Sequence, residues 1–172
     1  MLAAKVVHFA LAILTGGACF FWGRRCVSPG AGLLAAVLFI SAPLVFYLSQ
    51  SAYIDLGLAF FGTLTLAAVF RWLDNGAEDW MRLAGVYGGL AMGCKYMGLV
   101  ALAAAAMAVV FVGSPSIGRG IRTRLRALGW MWGIALLVFL PWPVKNVVLV
   151  GNPVAPFLSD IIPTANFTAD DY

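Results

Sequence analysis

The sequence predicts an all-α fold: a polytopic transmembrane helical bundle of about six membrane passes, including a short broken helix pair. Hydrophobic residues make up 63% of the 172 residues, and charged residues only 10%. A soluble domain carries about a quarter charged residues, so this chain has too few to coat a surface in water. The apolar residues also form long runs, and such runs cross lipid as helices because lipid offers the backbone no hydrogen-bond partners.

Three apolar runs in the first half of the chain predict membrane helices. Their expected bounds are Leu2–Trp22, Gly30–Leu48 and Leu56–Trp72. The first run ends in aromatic and basic residues at Arg24 and Arg25, which favours a retained span over a cleaved signal peptide. Pro43 is expected to loosen the end of the second helix. The acidic stretch Leu73–Trp80 is expected to be a solvated connection.

The segment Arg82–Val112 is too long for one span of about 20 residues and short for two. The short, arginine-rich segment Ser114–Arg126 is expected on the cytoplasmic side, and a single crossing would place it outside. We therefore predict two short passes, Leu83–Cys94 and Met97–Val112. Lys95 then lies at the tip of a tight helix pair, recessed below the outer surface and facing a cavity.

Small residues and a last helix complete the predicted bundle. Gly85, Gly88, Gly89 and Gly93 permit the close packing that a tight helix pair needs. The last helix is expected over Leu125–Leu140, with the chain leaving the membrane on the outer side after it.

Asp55 is the most informative single residue. It is the only acidic residue in the first 73 positions, and it lies in a short polar break between two apolar runs. A carboxylate at this depth is costly, which favours a functional role. The alternative is a helix N-cap. The predicted topology places Asp55, Lys95 and Lys145 on the same side of the membrane.

One carboxylate and two lysines suit a reaction on an anionic lipid head group. A lysine binds phosphate as a point charge, and a carboxylate orients a hydroxyl or takes its proton. The alternatives are that Lys95 snorkels to lipid head groups and that Lys145 is an interfacial anchor beside Trp142. His8 is expected to be packed and hydrogen-bonded. No cofactor is evident, no spacing of ligands indicates a metal site, a divalent metal requirement stays open, and no groove for nucleic acid is expected.

Three segments of the chain resemble one enzyme family. They are Ala42-Pro43 with Ser49–Asp55, then Leu83–Tyr96, then Pro141–Phe157. Together they are similar to the GT-C polytopic glycosyltransferases, and most to the dolichyl-phosphate-mannose–protein mannosyltransferase-like and aminoarabinose-transferase-like enzymes. The resemblance implies transfer of a sugar, with inversion, from a polyprenyl-phosphate donor to a hydroxyl of a lipid, glycan or protein acceptor on the extracytoplasmic face. It implies a catalytic role for Asp55, and substrate-binding roles for Tyr53, Lys95, Tyr96, Lys145 and Asn146.

The chain departs from the family pattern in two respects. Family members are longer, and their main catalytic base lies in an outer loop before the helix at which this chain starts. Residues 1–172 are therefore expected to be a single transmembrane segment of a larger membrane domain, truncated at both ends and inactive alone. Lys145 also stands where the family often has arginine, which keeps the charge but loses the bidentate fork.

The expected location is a bacterial inner or plasma membrane, which the chain crosses several times among membrane lipids. The site is expected on the extracytoplasmic side. The alternative function is non-enzymatic, either a transporter or a lipid-binding, flippase-like segment.

Overall fold

The computed structural model describes residues 2–51, 53–113, 120–158 and 161–162. These residues form eight helices and contain no strand, which confirms the all-α prediction. In chain order the helices are α1 (Leu2–Cys26), α2 (Pro29–Ser41), α3 (Pro43–Ser49), α4 (Asp55–Asn75), α5 (Glu78–Cys94), α6 (Gly98–Phe111), α7 (Ile121–Phe139) and α8 (Pro141–Val150).

Several of these helices are long and apolar enough to cross a membrane. Three described helical runs qualify by length and composition: α1, α4, and the 30-residue run Ile121–Val150 that α7 and α8 form together. The bent pair α2–α3 adds a fourth if it is one span. The polytopic membrane fold is thus confirmed. The expected count of about six also includes α5 and α6, which have 17 and 14 residues and are short for a span.

The second predicted helix is interrupted before Pro43, as expected. Ala42 adopts an extended conformation (φ −61°, ψ 126°), because the ring of a following proline disfavours the helical region for the residue before it. The axes of α2 and α3 differ by 63° at this break. The prediction of one continuous helix over Gly30–Leu48 is therefore replaced by two helices.

The solvated connection expected over Leu73–Trp80 is much shorter than predicted. Leu73 belongs to α4 and is only 4% exposed. The helix closes at Gly76, which has a left-handed conformation (φ 72°) of the kind that glycine adopts without a steric penalty. The next helix begins at Glu78. Acidic residues at the start of α5 are favourable for the helix dipole, so they extend the helix rather than mark a loop.

The last helix does not end at Leu140 as predicted. Leu140 has helical dihedrals (φ −49°, ψ −38°), and the chain continues as helix to Val150. Pro141 and Pro143 come just after Leu140. They lie in the first turn of α8, where proline is tolerated.

Contacts between side chains fix the relative direction of the helices. Arg71 lies over the Trp80 ring at 4.8 Å, so the end of α4 meets the start of α5 and the two helices are antiparallel. Arg82 lies over the Trp130 ring at 4.8 Å, and further along both helices Gly89 packs on Ala135, so α5 and α7 run parallel. The helix pair α5–α6 is a hairpin, because Gly98 at the start of α6 packs on the last turns of α5.

The bundle therefore has two chemically different ends. The arginine end, as we call it, holds Arg25 and Arg82 together with Arg126, which pairs with Glu78. The opposite end, called the Asp55 end, holds the first turn of α4 and the last turn of α5. This arrangement agrees with the predicted helix pair that returns the chain to the basic side.

Glycines on α5 allow its neighbours to approach closely. A Cβ atom at Gly85 would lie 2.6 Å from the Met131 carbonyl oxygen, and one at Gly89 would lie 2.6 Å from the Ala135 carbonyl oxygen, both on α7. Gly88 faces α6 in the same way. These three glycines have the packing role that was predicted. Gly93 does not, since a Cβ there would have nothing within 4 Å.

Replacing Gly98 with alanine should destabilise the hairpin. The added Cβ would lie 2.3 Å from the backbone of Ala91 and Met92, and overpacking of this kind costs roughly 1–3 kcal/mol. Thermal unfolding in detergent should show a lower midpoint for Gly98→Ala. Gly93→Ala is the matched control and should be neutral or slightly stabilising, because alanine is the better helix former. Equal midpoints for the two variants would contradict the hairpin packing.

Candidate functional site

At the Asp55 end of the bundle an ion pair joins the start of α4 to the break between α5 and α6. The Nζ atom of Lys95 lies 2.9 Å from the Oδ1 atom of Asp55. Asp55 is the first residue of α4, and Lys95 follows α5 in an extended conformation (φ −159°, ψ 144°). Because α4 and α5 are antiparallel, the start of one and the end of the other meet here.

This ion pair does little for folding, and it remains accessible. The side chains of Lys95 and Asp55 are 49% and 33% exposed, and pairs with such exposure contribute about 0–1 kcal/mol. The carboxylate is not a helix cap, since Ile54 occupies the N-cap position and makes no side-chain cap hydrogen bond. The cavity of about 670 Å³ in the structure lies at the arginine end, away from Lys95, so it is not the cavity expected beside this residue.

His8 takes over the capping role in the first turn of α4. It is only 2% exposed. The Leu56 backbone N–H donates to its Nε2 atom at 3.1 Å, so Nδ1 carries the hydrogen and donates to the Leu48 carbonyl at 2.7 Å. Both bonds together require the neutral imidazole. The prediction that His8 is packed and hydrogen-bonded is confirmed, and the residue fixes the turn that presents Asp55.

Replacing His8 with leucine should destabilise the protein, because the Leu56 N–H would stay buried without a partner. Such a loss costs about 1–3 kcal/mol, and thermal unfolding in detergent should report it as a lower midpoint. Thr15→Val is the control on the same helix. The Thr15 hydroxyl donates to the Leu11 carbonyl one turn earlier. Its removal therefore leaves no buried N–H or O–H group without an acceptor. A His8→Leu midpoint equal to that of Thr15→Val would contradict the role given to His8.

Tyr96 connects the break after α5 to α8 and to the turn beyond it. Its hydroxyl donates to the Ala155 carbonyl at 2.9 Å. The same oxygen accepts from Nε1 of Trp142 at 3.2 Å and from Nδ2 of Asn146 at 3.3 Å. Asn146 is only 7% exposed. The network therefore holds the backbone beside Lys95 in place.

The two remaining candidate residues, Lys145 and Tyr53, are less firmly held by their neighbours. The Nζ atom of Lys145 lies 3.7 Å from the centre of the Trp142 ring, a cation–π contact that fits the anchor expected beside this tryptophan. Tyr53 is 58% exposed and shares the break before α4 with Asp55. The structure thus brings the candidate residues together in two groups. Asp55 pairs with Lys95. Tyr96 contacts Asn146 directly and Lys145 through the Trp142 ring.

Asn152 is a structural residue of this end that was not among the predicted site residues. It is fully buried. Its Oδ1 atom accepts from the Val154 N–H at 2.9 Å and its Nδ2 atom donates to the Phe157 carbonyl at 2.9 Å. These bonds shape the turn that carries Ala155 to Tyr96. The available signal was the turn sequence Gly151-Asn152-Pro153, in which asparagine bonds its own backbone two residues on.

Comparison with known proteins decides the family. The family model for dolichyl-phosphate-mannose-protein mannosyltransferases matches residues 1–144. This chain belongs to that family. The predicted resemblance is confirmed, and the chain is a membrane glycosyltransferase by class. No curated protein and no solved structure gives a significant match.

The part of the chain that matches the mannosyltransferase family contains most of the candidate site. Asp55, Lys95 and Tyr96 lie within residues 1–144, whereas Lys145 and Asn146 follow directly after it. In the described ranges no three histidine, cysteine or acidic side chains lie close enough to hold a metal ion. The segment 114–119, which includes Arg119 of the predicted basic loop, lies outside the described residues.

Proposed function

We propose that this mannosyltransferase family member transfers a sugar from a polyprenyl-phosphate donor to an acceptor hydroxyl at the Asp55 end of the bundle. The observation that carries the proposal is the accessible ion pair between Lys95 and Asp55. An ammonium and a carboxylate in contact supply the two functions that the reaction needs, a cation for phosphate and an acceptor for a hydroxyl proton.

Lys95 binds the phosphate of the donor. Its ammonium has three N–H donors, and Asp55 uses one of them, so the others can bind phosphate oxygens. As the bond between the sugar C1 and the phosphate oxygen breaks, its electron pair and the negative charge stay on the polyprenyl phosphate. A cation placed there stabilises this charge more in the transition state than in the ground state. Lys145 supplies a second cation at the same end.

Asp55 acts on the acceptor. Its carboxylate accepts a hydrogen bond from the acceptor hydroxyl and orients it, or takes its proton, while the hydroxyl oxygen bonds to C1. Attack on the face opposite the leaving phosphate inverts the configuration at C1. The proton passes from the hydroxyl to the Asp55 carboxylate as the glycosidic bond forms, and the polyprenyl phosphate leaves as the other product.

The remaining candidates have supporting roles in this proposal. The Tyr96 hydroxyl already donates to the Ala155 carbonyl, so Tyr96 and the buried Asn146 position the backbone at Lys95. Exposed Tyr53 contacts the sugar or the acceptor. A lipid, a glycan or a protein can supply the hydroxyl.

We place the Asp55 end on the extracytoplasmic side of a bacterial inner or plasma membrane. The support is the concentration of arginines at the opposite end, because arginine-rich short loops stay on the cytoplasmic side.

The sidedness can be measured by thiol labelling. In a variant without native cysteines, Ser51→Cys at the Asp55 end should react with a membrane-impermeant thiol reagent added outside intact cells. Ala77→Cys, an exposed position at the arginine end, should react only after permeabilisation. Outside labelling of Ala77→Cys would reverse the proposed orientation.

The proposed reaction itself is tested in vesicles. The full-length protein is purified and reconstituted with short-chain polyprenyl-phosphate mannose labelled in the sugar, and a membrane extract supplies acceptors. Label should move to acceptor, with polyprenyl phosphate released in equal amount. Binding of the donor without release would favour the lipid-binding function instead.

A further inference from the structure

A cavity lies far from the Asp55 end. It has a volume of about 670 Å³ and lies between the end of α1 and the end of α4, at the arginine end. This volume is in the range of ligand sites, roughly 300–1,000 Å³. Asp55 and Arg71 lie on the same helix about 24 Å apart along its axis. The cavity is therefore separate from the proposed transfer site.

The rim of the cavity is cationic. Arg24, Arg25 and Arg71 line it together with a single carboxylate, that of Asp74. Arg25 pairs with Asp74 at 3.2 Å, and Arg71 lies over the Trp80 ring. In the described part of the chain no carboxylate forms an ion pair with Arg24. The rim thus carries a positive charge that the neighbouring protein groups do not balance.

The inner wall of the cavity is apolar. Phe21, Leu64, Ala67 and Phe70 line it, and Phe70 packs against the Trp22 ring at 5.6 Å. From Leu64 to the arginine on the same helix the wall extends about 10 Å along the axis. Both helices are long and apolar enough to cross a membrane, so the groove between them is open to lipid.

We propose that this cavity binds one anionic phospholipid, with its phosphate at the arginines and the start of an acyl chain against the apolar wall. Basic pockets between membrane helices on the cytoplasmic side are sites for anionic lipid head groups. A cationic rim directly above an apolar wall matches a molecule with a charged head and an apolar chain. A soluble phosphate would use only the rim, and an apolar partner helix would supply no anion to Arg24 and Arg71.

The experiment measures lipid retention by native mass spectrometry of the purified protein in detergent. Dioleoylphosphatidylglycerol should bind as one tight adduct, and dioleoylphosphatidylcholine should bind more weakly. Each arginine near an anionic head group should change the affinity about fivefold, so the double variant Arg24→Gln/Arg71→Gln should bind phosphatidylglycerol about 30-fold more weakly. Inorganic phosphate in excess should not displace the lipid.

Two further variants make the result decisive. Arg122→Gln removes an exposed arginine of the same end that does not line the cavity, and it should keep wild-type lipid affinity. Ala67→Phe keeps all the arginines but fills the groove, and it should also lose the adduct, so the test does not depend on the double variant being well folded. Equal binding of the two lipids, or equal loss in Arg122→Gln, would overturn the proposal. A concentration-dependent dimer that excludes the lipid would assign the groove to a second copy and overturn it as well.

Discussion

Replacing Asp55 with asparagine should lower the rate of sugar transfer by about 10²-fold or more, the usual size of an acid–base contribution. Asparagine keeps the shape of the side chain but removes the charge and the proton acceptor. Folding should change little, because the half-exposed pair with Lys95 contributes about 0–1 kcal/mol and the residue does not cap its helix. The measurement is transfer of labelled sugar by the full-length protein in reconstituted vesicles, with thermal unfolding as the check on folding.

The matched control for this change is Asp79→Asn. Asp79 is also ion-paired in the first turn of a helix, in this case with Arg82 at 2.8 Å, but at the arginine end. It should retain wild-type transfer. If Asp55→Asn is stable and transfers sugar at the wild-type rate, the Asp55 carboxylate has no role in the reaction.

Replacing Lys95 with methionine should weaken binding of a short-chain polyprenyl phosphate by about 10- to 150-fold. This range corresponds to about 1.5–3 kcal/mol, the typical contribution of a hydrogen bond to a charged group. Methionine keeps the apolar stem, so packing beside Tyr96 is preserved. The measurement is binding of the polyprenyl phosphate to purified protein, which requires neither the correct sugar nor the acceptor.

Lys5→Met is the control for charge. It removes a cation from an exposed position near the start of α1, at the same end of the bundle, and the affinity should stay near wild type. If Lys95 only snorkelled to lipid head groups, Lys95→Met and Lys5→Met would bind the polyprenyl phosphate equally. That result would contradict the assignment of the phosphate site to Lys95.

The sequence predicted the helices well because their causes are local. Apolar runs and the proline at position 43 each act within a turn or two, and the structure confirms the helices and the break that they predict. The arginine distribution even required a hairpin in Arg82–Val112, and the chain does turn at Lys95.

The wrong boundaries have physical reasons as well. Acidic residues at the end of α4 and the start of α5 were interpreted as a loop, but Leu73 is buried by tertiary packing and Glu78 stabilises a helix start. The last helix was predicted to end at Leu140, but the prolines after it lie in the first turn of α8, where proline is tolerated, and the helix continues to Val150.

Distances within the site depend on contacts between residues far apart in the chain, and these contacts could not be predicted from local sequence patterns. The topology argument placed Asp55 and Lys95 on the same side, but not in contact at 2.9 Å. No local pattern indicated that His8, 48 positions before Leu56, would accept its N–H. The hydroxyl of Tyr96 likewise has partners 46 to 59 positions away.

Photocrosslinking can locate the donor phosphate on the protein. A short-chain polyprenyl phosphate with a photoreactive group beside the phosphate is activated in vesicles, and the modified residues are mapped by mass spectrometry. The crosslinks should fall at the Asp55 end, within Tyr53–Leu56 and around Lys95, and they should be lost in Lys95→Met. Crosslinks concentrated near Arg24 and Arg71, and unchanged in Lys95→Met, would show that the donor phosphate binds at the arginine end and that the Asp55–Lys95 pair is not its site.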